Sequence, residues 1–200
     1  MRYKLYLGSG SPRRVELLKQ MNVPFEQRVV KVDEVYSQEL EGVAITDFLA
    51  KLKGKAHQKK LLPNELVLTA DTIVWHHGNA LGKPQNETDA IKMLKSLSGK
   101  THEVISSVCL SSATAQSCKN DTTKVTFREL TADEIKHYIK TYHPLDKAGA
   151  YGIQEWIGLV GVTQIEGSYT NVVGLPTTKT HQLLQPYLTH FKDPISDNSE

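Results

Sequence analysis

ELVLTADTIVWHHGNALGKP, residues 65–84, is the stretch from which the fold is read. From Leu66 to Trp75 apolar side chains fall on both faces of an extended chain, the pattern of a strand covered on both sides. The turn at His77, Gly78 and Asn79 and the short return after it make this a long strand ending in a hairpin. Asp71 stands in the middle of that strand. A carboxylate is unfavourable there unless it is paired, hydrogen-bonded or bound to a cation, so Asp71 is read as functional, against the plainer alternative of a strand end or bulge that reaches water.

Toward the N-terminus, "YKLYL" from Tyr3 is a strand, GSGSPRR (8–14) a glycine-rich turn and VELLKQM a helix. Ser11 followed by Pro12 is a helix start, with the serine hydroxyl as cap. Arg13 and Arg14 then lie in the first turn, where the helix dipole disfavours cations unless an anion is near. Bound phosphate is one reading, since glycine lets backbone amides approach an anion; a plain turn, with Arg14 in a structural ion pair, is the other. "FEQRVV" from Phe25 reads as a second strand, and residues 31–44 as polar and irregular. Thr46 is expected to cap a helix running to about Leu62, with Phe48, Leu49, Leu52 and Ala56 on one stripe.

Toward the C-terminus, "TDAIKMLKSLSG" is a helix capped by Thr88 and stopped by Gly99. "HEVISSVCLSS" and "CKNDTTKVTFREL" form an antiparallel pair. Thr131 with Glu134 is a capping box, and a last helix spans about Thr178 to His190. "DKAGAYGIQ" from Asp146 is either a glycine-bearing strand or bulge, or a close backbone approach to a ligand. Helices among long strands, some hairpin-linked, indicate an α/β or α+β fold on a mixed sheet. One domain, 1–191, is expected, followed by a frayed polar tail, 192–200.

The chain has 24 basic and 22 acidic side chains, and this balance argues against a nucleic-acid or membrane-surface partner. No apolar run nears the roughly 20 residues of a membrane span, and MRYKLYLGSG lacks a signal-peptide core. Cys109 and Cys118 are read as free thiols rather than a cross-strand disulfide. The expected location is the cytoplasm. Asp33 and Glu34 in "VDEV" are of interest only if they converge on Asp71, because magnesium takes one or two carboxylates alongside substrate phosphates. Lys55 and Lys83 are phosphate-binding candidates, though most lysines coat surfaces. His76 and His77 are read as turn residues.

"LGSGSPRRVELL", "VDE", "KGKA", "ADTIV", "GKP", "LSGKTHEV", "HPLDKAGAYGIQ" and "GSYTNVVGLP", in this order from Leu7 to Pro176, resemble the Maf family of nucleoside triphosphate pyrophosphatases. The resemblance implies a Maf/ITPase-like fold: an elongated α/β domain with a central mixed sheet flanked by helices, two lobes with a cleft, and a homodimer. It also implies hydrolysis of a nucleoside triphosphate to the monophosphate and pyrophosphate with a divalent cation, Mg2+ or Mn2+. "AGAYGIQ" with Arg13 and Thr72 resembles the branch acting on dTTP and UTP rather than the one preferring 7-methyl-GTP. By position, Asp71 matches the proton acceptor. Arg13, Thr72 and Gln154 match substrate-choice positions. Ser9, Ser11, Arg13, Lys55 and Lys83 match the phosphate site, and Glu34 and Asp71 the metal site. Two departures stand out: Gly8 replaces a frequent alanine, and Glu155-Trp156 follow Gln154 where glycine is common. The expected chemistry is metal-assisted attack of water on the α-phosphorus, with Asp71 orienting or deprotonating the water and Gln154 reading the pyrimidine edge. The rival expectation is a nucleotide-binding regulator of septum formation with little turnover.

Overall fold

In the computed structural model, which describes residues 2–191, the chain enters at β1 (Lys4–Leu7), turns through Gly8–Ser11 and continues into α1 (Pro12–Gln20). Next come β2 (Glu26–Gln27), α2 (Val43–Gln58), β3 (Glu65–His76), β4 (Asn79–Leu81), α3 (Glu87–Leu97), β5 (Thr101–Ser111), β6 (Gln116–Phe127) and α4 (Ala132–Tyr142). Short 3-10 turns at Pro144–Asp146 and Ala148–Ala150 lead to α5 (Trp156–Gly161), β7 (Val162–Glu166), α6 (Tyr169–Val173) and α7 (Thr177–Leu184). The expected tail, 192–200, lies outside the described residues.

The seven strands form one mixed sheet in the order β2-β1-β3-β5-β6-β7, with β4 on the edge of β3. Strand β1 runs parallel to β2 and β3, and the remaining pairs are antiparallel. Strand β2 has only two residues, shorter than "FEQRVV" suggests. Its partner β1 ends at Leu7, whose carbonyl accepts from Arg28 N at 3.0 Å, and beyond that there is no strand left to pair.

Side chains alternate along β3, so Ala70, Thr72 and Val74 share one face and Thr69, Asp71 and Ile73 the other. On the first face Ala70 belongs to an apolar cluster with Leu5, Leu7, Leu18 and Leu184, under α1 and α7. Val74 belongs to a second cluster with Leu94, Leu97, Phe127, Ile135 and Tyr138, under α3 and α4. Between the two, Thr72 and Ser106 are paired in register with their hydroxyls 2.8 Å apart. This polar seam divides the two lobes. The opposite face is covered by α2 through Ile45 and Leu49.

Several helix starts differ from the sequence reading. Helix α2 begins after Gly42 and ends at Gln58, four residues before Leu62. Thr46 is fully buried inside it, 2.7 Å from Ser107 Oγ, because the apolar stripe begins at Ile45 rather than Phe48. Asn86, not Thr88, caps α3, accepting from Asp89 N at 2.9 Å. Ser11 occupies the N-cap position of α1, but its side chain makes no capping bond. The capping box of Thr131 and Glu134 is present as expected, and Gly99 takes the left-handed conformation after α3. Cys109 and Cys118 are free thiols directly opposite on β5 and β6.

His102 on β5 is 2% exposed, with Nε2 2.8 Å from the Tyr151 hydroxyl and Nδ1 unpartnered. Burial, aided by the neighbouring His76, pushes its pKa down to about 3. Between that value and the ordinary ~6.5 the unfolded chain binds a proton that the folded chain does not, so stability falls as pH drops through this window. The wild type is expected to lose about 1.4 kcal/mol per pH unit there from this group, and His102→Gln should flatten the slope. Urea unfolding at pH 6 and pH 4 checks this; equal slopes in both proteins would remove His102 as the cause.

Candidate active site

A cleft of about 770 Å³ opens along the seam, within the size range of small-molecule sites. Its origin is topological. On one edge of β3, residues 65–68 pair with β1 and residues 74–76 with β4, so the segment between them has no strand neighbour there. Arg14 takes the place of the missing strand. Its Nη1 donates to Ala70 O (2.9 Å) and Ser9 Oγ (3.3 Å), its Nε to Gly174 O (2.8 Å), and its Nη2 to Thr72 Oγ1 (3.1 Å). An unmet carbonyl at this position would be costly, which accounts for an arginine in the first turn of α1. Among the described residues no carboxylate pairs with Arg14 as the sequence reading considered: its four acceptors are neutral, and its guanidinium lines the cleft.

Asp71 is 6% exposed, and its Oδ1 accepts from Lys53 Nζ at 2.6 Å. The same ammonium lies 3.0 Å from Glu34 Oε2, so the loop after β2 and the strand β3 converge on one cation. Asp33, Glu34's neighbour, is exposed and outside the cleft. Burial pushes the pKa of Asp71 upward against the opposing pull of Lys53 and Arg14. Lys55 does not reach this site. Two residues along a helix turn about 200°, which puts Lys55 on the exposed face of α2 while Lys53 faces the sheet. Lys53 continues the buried stripe of Ile45, Leu49 and Ala50 at helical spacing, and that periodicity is the signal that could have selected it. Gly54 allows the close approach, because a Cβ there would overlap the side chains of Ser111 and Gln116.

The other expected residues mostly line the same cleft. Ser9 is buried, its hydroxyl accepting from Ser11 N at 3.2 Å, and Ser11 lies at the start of α1. Arg13 Nη1 donates to Asp146 Oδ2 at 2.8 Å. Although partial burial opposes the charge, Lys147 and Arg13 hold the Asp146 carboxyl down at about 2. Lys83 is exposed at the mouth, just past β4, and Gln154 is exposed beyond "AGAYGI". That stretch is not a strand or bulge: Gly149 (φ 66°) and Ala150 (φ 60°) form consecutive left-handed residues. A Cβ at Gly149 would come within 2.7 Å of Val74 Cγ2, so the turn lies directly on β3. Thr72 projects from the face opposite Asp71, and its hydroxyl is engaged by Arg14 and Ser106.

The donor set suits a hard divalent cation in part. Glu34 and Asp71 offer carboxylate oxygens around a point now held by the Lys53 ammonium, and two carboxylates with substrate phosphates satisfy magnesium. Among the described residues no group of three His, Cys, Asp or Glu side chains forms a self-contained metal site. Remaining ligands would have to come from substrate and water.

A family model described as Maf-like protein matches residues 4–187. The chain is 54% identical over 183 residues to a dTTP/UTP pyrophosphatase of Flavobacterium johnsoniae, covering 92% of this chain and 94% of that protein. It is 51% identical over 185 residues to a dTTP/UTP pyrophosphatase of Bacteroides fragilis, covering 92% and 96%. The solved structure of the Staphylococcus aureus Ham1 protein is similar at a TM-score of 0.45 and 15% identity, over 62% of this chain and 71% of that one.

Proposed function

The chain belongs to the Maf family, and on that premise we propose that it is a nucleoside triphosphate pyrophosphatase that cleaves dTTP and UTP to the monophosphate and pyrophosphate. The observation that carries this reading is the Asp71 carboxylate, buried at an unpaired strand edge inside a cationic cleft, in a chain that aligns over nine-tenths of its length with dTTP/UTP pyrophosphatases. Binding a nucleotide does not by itself call for a carboxylate in that position, which disfavours the regulator without turnover.

The placement of these side chains supports the following roles. Asp71 is the proton acceptor: its carboxylate takes a proton from the attacking water as the water oxygen bonds to the α-phosphorus, and the bond from that phosphorus to the bridging oxygen breaks with its electron pair leaving on pyrophosphate. Lys53 favours the charged form of Asp71 against the opposing effect of burial and offers its charge to phosphate oxygens. Arg13, Arg14, Lys83 and the Ser9–Ser11 turn supply charge and donors to the β- and γ-phosphates. Glu34 and Asp71 would hold Mg2+ or Mn2+, whose chemistry there is neutralisation and polarisation of the phosphoryl oxygens. Gln154 presents one donor and one acceptor, which match the N–H and carbonyl of a uracil or thymine edge. A homodimer and a cytoplasmic location complete the proposal; no helix among the described residues is long and apolar enough to cross a membrane.

Purified protein with Mg2+ is expected to release pyrophosphate, not single phosphate, from dTTP and UTP in preference to CTP and GTP. Nucleotide binding without pyrophosphate would favour the regulator instead. In Gln154→Ala the preference should fall by about tenfold or more, since a site built to hydrogen-bond a base discriminates through those bonds. An unchanged preference ratio removes Gln154 from base selection.

A further inference from the structure

A chain of alternating charges that starts in the cleft wall links Arg13, assigned above to the phosphates, to Asp146, Lys147 and Glu155, which have no part in the hydrolytic roles above. Arg13 donates to Asp146 Oδ2, and Asp146 Oδ1 accepts from Lys147 Nζ at 2.7 Å. The same ammonium lies 3.1 Å from Glu155 Oε1. Glu155 Oε2 accepts from the Tyr138 hydroxyl, which in turn accepts from Gly152 N at 3.0 Å. Lys147 and Glu155 side chains are 10% and 19% exposed, and Tyr138 is fully buried. The shielded Lys147–Glu155 pair holds its geometry better than a surface pair does, whereas Asp146, 56% exposed, makes the link to Arg13 at the surface.

Gln154 is carried on the turn that this chain anchors. Glu155 N donates to Gly152 O at 3.0 Å, closing a turn over residues 152–155 with Gln154 at its outer corner. The Glu155 side chain and Gly152 N meet on the single hydroxyl of Tyr138, so both ends of the turn are fixed to α4. The carboxylate packs directly over residue 152, where a Cβ would come 2.8 Å from Glu155 Cδ and 3.1 Å from Lys147 Cε, and glycine makes room for it. From its other oxygen the series Lys147, Asp146, Arg13 leads to the first turn of α1, which also lines the cleft.

We propose that Glu155 is a positioning residue for nucleotide recognition: one carboxylate fixes the turn bearing Gln154 and, through Lys147 and Asp146, the guanidinium of Arg13, so that the base-reading amide and that cation are held at one separation. The proposal rests on the pyrimidine nucleotide reading above. It assigns the role to a residue that itself does not touch substrate, and it implies an effect on binding and discrimination rather than on the chemical step.

The test compares Glu155→Gln, which keeps the shape and loses the charge, with Thr131→Ala, which removes the cap of α4 without touching the ion chain. In Glu155→Gln the KM for dTTP is expected to rise about tenfold with kcat within about twofold, and the preference for dTTP over GTP to fall alongside it. Calorimetric affinity for a non-hydrolysable thymidine triphosphate analogue should weaken by the same factor. Thr131→Ala should lower the melting temperature while leaving KM, preference and affinity at wild-type values. Unchanged KM and affinity in Glu155→Gln, a loss confined to kcat, or an equal change in Thr131→Ala would each overturn the proposal. Wild-type protein that binds the analogue but releases no pyrophosphate from dTTP would overturn the hydrolase reading instead, with the affinity comparison still deciding the role of Glu155.

Discussion

Asp71→Asn is expected to lower kcat for pyrophosphate release by about a hundredfold or more at saturating Mg2+, because an amide cannot accept the proton of the attacking water and positioned general bases contribute on the order of 10²–10⁴. Compared without divalent cation, the same variant should melt close to the wild type, because the partner lost by Lys53 is offset by removal of a buried charge while Glu34 still pairs that ammonium. The offsetting gain comes from burial, which pushes the Asp71 pKa up against the pull of Lys53 and Arg14. A carboxyl whose folded pKa exceeds its unfolded value costs folding free energy when ionised, a cost present above the folded pKa and relieved as pH falls through it. Asparagine never carries that charge. Loss of activity with retained melting temperature therefore separates a role in chemistry from a role in folding. Near wild-type turnover in Asp71→Asn would sink the proton-acceptor assignment.

The second large effect is expected from a pair of lysines two residues apart. Lys53→Met removes the cation that lies 2.6 Å from Asp71 and 3.0 Å from Glu34, leaving the two carboxylates without their shared partner. Taking one partner from a buried ion pair costs roughly 3–5 kcal/mol in closed sites. Here Arg14 remains nearby and Glu34 is half-exposed, so the cost in stability should be at the lower end. The activity loss should be larger, about a hundredfold in kcat/KM, since both the charge state of Asp71 and the neutralisation of phosphate depend on that ammonium. Lys55→Met, on the outer face of the same helix, should stay within about twofold of wild type, as isolated surface substitutions do. Steady-state kinetics on the two variants decide the matter. A defect in Lys55→Met equal to that in Lys53→Met would contradict the orientation of α2.

Much of this site is legible without coordinates. Asp71 is marked by its strand, since a carboxylate inside a run of Leu, Val, Ile and Trp needs a special reason. The start of α1 is marked by proline, and the first-turn arginines by their conflict with the helix dipole. Other assignments failed where two local choices compete or the deciding contact is remote. The cap of α3 went to Asn86 instead of Thr88 because two residues with suitable side chains stand in reach of the same first turn. Thr46 has the right chemistry for a cap and instead faces Ser107, a partner on β5 that no local pattern announces. The "AGAYG" turn mimics a glycine-bearing strand, but its left-handed residues are set by contact with Val74.

What the chain by itself determined is everything governed by periodicity and local bonding: a central strand covered on both faces, its hairpin, the α4 capping box, and an aspartate placed where water is scarce. These depend on neighbours within a few residues, and the physics that selects them acts over that range. Only the tertiary structure decided which members of adjacent pairs face the cleft. Arg14 completes the open edge of β3 while Arg13 meets Asp146, 133 residues away, and Lys53 rather than Lys55 meets Asp71. Those outcomes follow from where β1 ends and how closely α2 packs, two consequences of long-range register that no short stretch of sequence contains.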